Sequence, residues 1–144
     1  DEQIQAAAKI MEACTFYALL NQTISLRRET FRNELRQYLL SHLQQPLNSY
    51  DIAKGLGVSR SKLYQQCQQY LGMGIGEYLR KLRIEKSQQL LKGSHLSITE
   101  IASTVGFADY NYFCRVFKAE SGCSAKKYRS AVLSRKNTSD DTLV

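Results

Sequence analysis

Asn48-Ser-Tyr-Asp-Ile-Ala-Lys-Gly-Leu-Gly57 is matched, 49 residues further on, by Ser97-Ile-Thr-Glu-Ile-Ala-Ser-Thr-Val-Gly106. After one inserted residue the correspondence continues at an offset of 50, pairing Leu63, Cys67, Gly72 and Tyr78 with Phe113, Phe117, Gly122 and Tyr128. A chain that repeats itself at this period is built from two similar units. Ser97-x-x-Glu100 has the form of a capping box, in which the serine hydroxyl accepts from an orphan backbone N–H and the glutamate accepts one in return. Asn48-x-x-Asp51 is a shorter version at the equivalent place. Each starts a short helix with Ile52-Ala53 or Ile101-Ala102 on its inner face, and Gly57 or Gly106 then supplies the positive φ that turns the chain sharply. Ser59 and Asp109 cap a second helix, with apolar spacing Leu63, Cys67, Tyr70 in one unit and Phe113, Val116, Phe117 in the other. Gly72 and Gly122 stop it. A short helix, a glycine turn and a second helix with a buried seam is the helix-turn-helix plan, expected here over about 48–70 and about 97–121.

Between the units, Gly76 to Leu91 holds no breaker and predicts one rigid spacer helix, about 75–91, roughly 24 Å long. Upstream, every glycine lies at or beyond Gly55 and the only proline is Pro46, so little interrupts a helix except the polar stretch Asn21 to Ser25. Two helices are therefore expected there. Ile4, Ala8, Met11, Thr15, Ala18 and Leu19 mark the first, and Phe31, Leu35, Tyr38, Leu39, His42 and Leu43 the second. The first, within residues 1–25, either packs on the rest of the domain or is a connector or dimerisation helix of an upstream module; both readings stand. The fold class is thus all-α: two helix-turn-helix subdomains joined by a long central helix within 26–136, preceded by an extra N-terminal helix. Residues 137–144 are polar and acidic without periodicity and are expected to be a disordered tail.

The 144 residues leave no room for a multi-domain enzyme. The longest apolar run, Phe16 to Leu20, is far short of the ~20 residues that cross a bilayer, so no membrane association is expected. The chain starts without Met or a secretory signal, so an upstream segment is expected to have been cut away. Twenty basic against thirteen acidic side chains give +7, and the charge is unevenly placed. Residues 1–48 hold five of each sign, whereas 49–136 hold fifteen basic and six acidic groups. That excess points the repeated segment toward a polyanion. Cys14, Cys67, Cys114 and Cys123 form no C-x-x-C pair and lie apart from His42 and His95, so neither a metal site nor a cofactor is expected, and reduced thiols suit a cytoplasmic protein.

The periodicity also selects the outward face of each second helix. Asn111, Cys114, Arg115 and Lys118 lie opposite Phe113 and Phe117, and the repeat maps them to Ser61, Tyr64, Gln65 and Gln68. Arginine can bond guanine O6 and N7 in a bidentate manner, glutamine or asparagine can do so to adenine, and a tyrosine ring can meet a thymine methyl. Ser61, Tyr64, Gln65, Gln68, Asn111, Cys114 and Arg115 are accordingly the base-reading candidates. A solvated helix face has the same pattern, and the second unit and the basic excess tip the balance. Lys54, Arg60, Lys62, Lys118, Lys126, Lys127 and Arg129 are candidates for phosphate. Arg80, Lys81 and Arg83 on the spacer are weaker candidates, since Arg80 or Arg83 could instead bond a carboxylate of the scaffold.

Several stretches carry a resemblance. Gly72-Met73, Glu77-Tyr-Leu-Arg-Lys-Leu-Arg-Ile84, Leu90-Leu91, Ile101-Ala102, Val105-Gly106-Phe107, Tyr112-Phe-Cys-Arg-Val-Phe-Lys118, Gly122 and Lys127-Tyr-Arg129 together resemble the DNA-binding domain of the AraC/XylS transcription regulators, from about Phe31 to Leu133. The resemblance implies a bacterial transcription regulator, an activator in keeping with the family, that places two recognition helices in successive major-groove faces of double-stranded DNA. Those faces lie ~34 Å apart, within reach of the spacer and its flanking units. It also implies contact with RNA polymerase and a separate sensing domain; a homodimer, through the N-terminal helix or an upstream domain, is a further expectation. Three positions depart from the family: Cys67 replaces a large aromatic, Ser49 an apolar residue and Ala125 a frequent proline. The first rival reading is a helical protein-interaction module with Phe16, Tyr17 and Leu19 as its docking stripe; RNA binding is the second, disfavoured because Phe107, Phe113 and Phe117 sit at core spacing. No catalytic residue is expected, because two distant histidines and no phosphate-cradling glycine loop supply no enzyme inventory.

Overall fold

A computed structural model describes residues 1–140, with side chains through residue 135. Among the described residues the chain forms seven helices and no strand: α1 (Glu2–Ser41), α2 (Ser49–Gly55), α3 (Arg60–Leu71), α4 (Ile75–Gly93), α5 (Ile98–Thr104), α6 (Tyr110–Ser121) and α7 (Ala125–Asp140).

The N-terminal region corrects the expectation of two helices. α1 is one helix of 40 residues, about 60 Å long, and Asn21 to Ser25 lie inside it. Without glycine or proline, each of those residues costs only tenths of a kcal/mol in helical propensity, too little to break a helix already propagating on both sides. Thr23 Oγ1 donates to the Leu19 carbonyl at 3.0 Å, as Thr15 Oγ1 does to Met11 at 2.8 Å, so these hydroxyls are satisfied without leaving the helix. At the other end α7 runs to Asp140, four residues into the segment expected as a tail, with no glycine or proline after Ala125 to stop it. Residues 141–144 of that expected tail lie outside the described residues.

α1 joins the core only in its last turns. Every residue through Thr30 is exposed, and burial begins at Phe31, followed by Leu35 and Leu39 and then Leu43 beyond the helix. These pack with Ile52, Ala53, Leu63 and Cys67 of α2 and α3. α4 carries the core onward through Leu79, Leu82, Ile84 and Leu91, and α5 and α6 close it with Ile101, Ala102, Phe113 and Phe117. α4 has 19 residues, about 28 Å, two more than the expected end at Leu91; Ser94 finishes it by donating Oγ to the Leu90 carbonyl at 2.7 Å. An ion pair between Arg36 of α1 and Glu85 of α4, 3.0 Å long, lies on the exposed side of that packing. α7 packs on α4 and α6, with Tyr128 edge-on to Phe117 at 5.7 Å between ring centroids.

Candidate nucleic-acid interface

The repeat seen in the sequence reappears in the caps and turns: both units have side-chain-capped helices and the same turn hydrogen bonds, and only the second has a complete capping box. Asn48 accepts from the N–H groups of Tyr50 and Asp51, Ser59 from that of Lys62 and Asp109 from that of Tyr112. Ser97 and Glu100 exchange both bonds of the capping box, at 3.2 and 2.7 Å. Those bonds hold the Glu100 carboxyl below its ordinary range, first through the Ser97 backbone N–H. In the turns, Gly57 N–H donates to Lys54 and Val58 N–H to Ala53; Gly106 N–H donates to Ser103 and Phe107 N–H to Ala102. The two turns therefore share one backbone geometry, with positive φ at both glycines, and each projects its second helix, α3 or α6, from a capped start.

Ser61, Tyr64, Gln65 and Gln68 are exposed along α3, and Asn111, Arg115 and Lys118 along α6. Lys54, Arg60, Lys126 and Lys127 are also exposed, at or near the starts of α3 and α7 and the end of α2. Lys62 is exposed but sits on the α1 flank of α3, lining an open groove of about 490 Å³ with Leu26, Phe31 and Tyr70. The outer face of α3 carries no charge between Ser61 and Leu71 apart from Lys62, whereas that of α6 carries Arg115 and Lys118.

Residues 52–131, more than half of the chain, match the family described as a helix-turn-helix domain. Among curated relatives, the Msm operon regulatory protein of Streptococcus mutans is 36% identical over 104 residues, 72% of this chain and 37% of its own length. The HTH-type transcriptional activator RhaR of Yersinia pestis is 39% identical over 138 aligned positions, covering 83% of this chain and 47% of its own length. Among solved structures, the C-terminal domain of AraT, a response regulator of Geobacillus stearothermophilus, is 36% identical with a TM-score of 0.64, covering 69% of this chain and 83% of that one. The DNA-binding domain of AdpA, solved in complex with a target DNA, is 25% identical with a TM-score of 0.67, covering 73% and 95%. The chain belongs to the AraC family of helix-turn-helix transcription regulators. It spans less than half the length of the curated AraC-family relatives described above.

Within this AraC-type domain two of the expected site residues are placed elsewhere. Arg129 is half-buried and donates through one terminal nitrogen to the Leu96 carbonyl at 2.7 Å, so its guanidinium ties α7 to the loop before α5 rather than standing free for phosphate. Cys114 lies on the flank of α6, half-buried against the core, and its thiol raises the pKa of the neighbouring Tyr110 hydroxyl. Periodicity alone put it on the outer face, but the α6 seam is wide enough to take in its small side chain. Arg83 likewise bonds main-chain carbonyls, of Leu43 and Gln45, where a carboxylate was the expected scaffold partner. One neighbour of the candidate face was overlooked: Tyr112, 40% exposed, whose ring centroid lies 5.8 Å from the Arg115 guanidinium carbon, within cation–π range. The i, i+3 spacing of tyrosine and arginine on one helix was the available signal.

Among the described residues there is no cluster of three or more His, Cys, Asp or Glu able to hold a metal, and no helix is long and apolar enough to cross a membrane.

Proposed function

We propose that this chain is the sequence-specific reader of double-stranded DNA in a bacterial transcription activator, with α3 and α6 as recognition helices in successive major-groove faces. The observation that carries this reading is the pair of capped helices with exposed outer faces, held on one core by turns of the same hydrogen-bond pattern, with exposed basic side chains nearby. Arg115, backed by Tyr112, and Asn111 read one block; Gln65, Gln68, Tyr64 and Ser61 read the other. Lys54, Arg60, Lys62, Lys118, Lys126 and Lys127 contact phosphate and set register without reading sequence. Because α6 offers a cation to the bases and α3 does not, the second unit supplies more of the affinity and the first more of the adjustable specificity. Arg115→Ala is therefore expected to weaken binding more than Gln65→Ala; the reverse order refutes this division.

The domain proper is taken as 26–136, with 1–25 as a connector. The uncovered N-terminal turns of α1, bearing Ile10, Phe16, Tyr17, Leu20 and Ile24, favour a protein contact there. In this reading a second copy or an upstream part of the protein covers them, and the assembled regulator acts in the cytoplasm by touching RNA polymerase, without catalysis.

The test is a fluorescence-anisotropy titration against random duplex DNA, followed by selection and sequencing of the bound fraction. Two short enriched blocks about one helical turn apart are expected. No binding at low salt, or enrichment of a single block, overturns the proposal.

A further inference from the structure

We infer that Arg83 is a positioning residue that clasps the two helix-turn-helix units together and so fixes which spacing of DNA blocks the protein accepts. This rests on the reading of α3 and α6 as the base-facing helices.

Arg83 is the ninth of the 19 residues of α4, at the middle of the spacer. A rod joining two units fixes their separation, but their relative rotation needs a second point of attachment. Three pieces of chain meet at Arg83. Its Nη2 donates to the carbonyls of Leu43, at 3.2 Å, and Gln45, at 3.1 Å, both in the loop between α1 and α2 of the first unit. Its guanidinium carbon lies 5.8 Å from the ring centroid of Phe107, in the α5–α6 turn of the second unit. The same turn approaches the same loop directly: a Cβ on Gly106, whose φ is +95°, would overlap the Leu43 carbonyl oxygen and press on Arg83.

The chemistry suits a long cationic side chain with more than one donor hydrogen. Leu43 and Gln45 present two backbone acceptors that the two hydrogens of one terminal guanidinium nitrogen can bond together, while the rest of the cation stands over an aromatic ring. The group is half-buried, with its Nε buried and unbonded, so the packing around it closes over the side chain instead of leaving it in water. Neither Leu43 nor Phe107 is on an outer face of α3 or α6, so the clasp acts on DNA only through the placing of those helices.

The experiment uses the full chain and the selected two-block duplex, with one or two base pairs inserted or removed between the blocks, and a duplex bearing one block alone. One base pair shifts the second block by ~3.4 Å and about a tenth of a turn, which rigid units can follow only by deforming the DNA. The unaltered protein is expected to lose about tenfold or more in affinity per step. Arg83→Met, which keeps the apolar stem and removes every donor, is expected to flatten that profile to a few-fold while leaving single-block affinity unchanged. Arg83→Lys, which keeps the charge with one compact donor, falls between them and carries the test if the methionine variant does not fold. A steep profile retained in a folded variant overturns the role of Arg83. A flat profile in the unaltered protein overturns the two-block reading itself, and the clasp with it.

Discussion

Lys127 and Arg129 are two residues apart on α7, both cationic, yet they make opposite predictions. Lys127 is exposed, whereas Arg129 is half-buried and bonds the Leu96 carbonyl at 2.7 Å. With Arg129 withdrawn, six basic groups remain for phosphate: Lys54, Arg60, Lys62, Lys118, Lys126 and Lys127. At about −0.9 per neutralised phosphate, log affinity against log salt should have a slope near −5.4, a loss of about 2,000-fold from 50 to 200 mM. Lys127→Ala should reduce the slope by about 0.9, so that the same salt change costs about 500-fold, and leave thermal stability within ~0.5 kcal/mol. Arg129→Ala should leave the slope unchanged but deprive Leu96 of its donor, costing about 2 kcal/mol, or roughly 7 °C in Tm for a chain of this size. Anisotropy titrations on the selected duplex at four salt concentrations, with a melting curve for each variant, separate the two. If Arg129→Ala lowers the slope and spares Tm, the arginine swings out to phosphate and its place in the scaffold is misread. If both variants leave the slope alone, the C-terminal lysines do not touch DNA.

Ser97→Ala should cost about 1 kcal/mol by removing one arm of the capping box, measured by urea unfolding. Glu100, whose pKa the box depresses, contributes stability that is present above the ordinary carboxylate range and fades as pH falls through its folded value; that acid dependence should diminish in Ser97→Ala. Cys67 is buried and its thiol is pushed up to about 11 by desolvation, from an ordinary 9.0. In the folded protein at pH 8 it should resist thiol reagents that modify exposed Cys14 at once. Because the unfolded chain releases this proton first, its contribution to stability should be lost as pH rises from about 9 to 11, by on the order of 2 kcal/mol, and Cys67→Ala should make the alkaline decline shallower. Phe117→Ala, at a fully buried ring between Phe113 and Tyr128, should cost about 3–5 kcal/mol by calorimetry, enough to threaten the second unit as a whole.

What the sequence made legible is what short-range chemistry decides. A cap needs an acceptor within three residues of the N–H it serves, and a tight turn needs a glycine at positive φ, so Asn48, Ser59, Ser97, Asp109, Gly57 and Gly106 announce themselves in any frame. Repetition at an offset of 49, and of 50 after the inserted residue, then doubled each signal. Long-range partners were not legible in this way. Arg83 and Arg129 look like any surface cation in the sequence, and only the meeting of α4 with the 42–46 loop, or of α7 with the 94–97 loop, brings an unpaired carbonyl to each. The continuity of α1 was missed for the converse reason: a polar stretch of five residues weakens a helix, but the outcome depended on the strong formers on either side.

The two units show how far fold and recognition are separable in this chain. Caps, turn glycines and the seam residues Leu63, Cys67, Phe113 and Phe117 are held by geometry, since each is bonded or buried. The outward positions 61, 64, 65 and 68, and 111, 115 and 118, are exposed and bond nothing in the core. Substitution there leaves stability nearly unchanged, whereas it rewrites the donors and acceptors offered to base edges. The same backbone can consequently present a neutral, amide-rich face in α3 and a cationic one in α6. A protein that reads two blocks through such faces must still hold them at one separation and rotation, because the gain from a second block is lost when the DNA must be deformed to reach it. The residues that fix the spacing therefore lie in the interior between the units, at the middle of α4, and not on the surface that touches DNA.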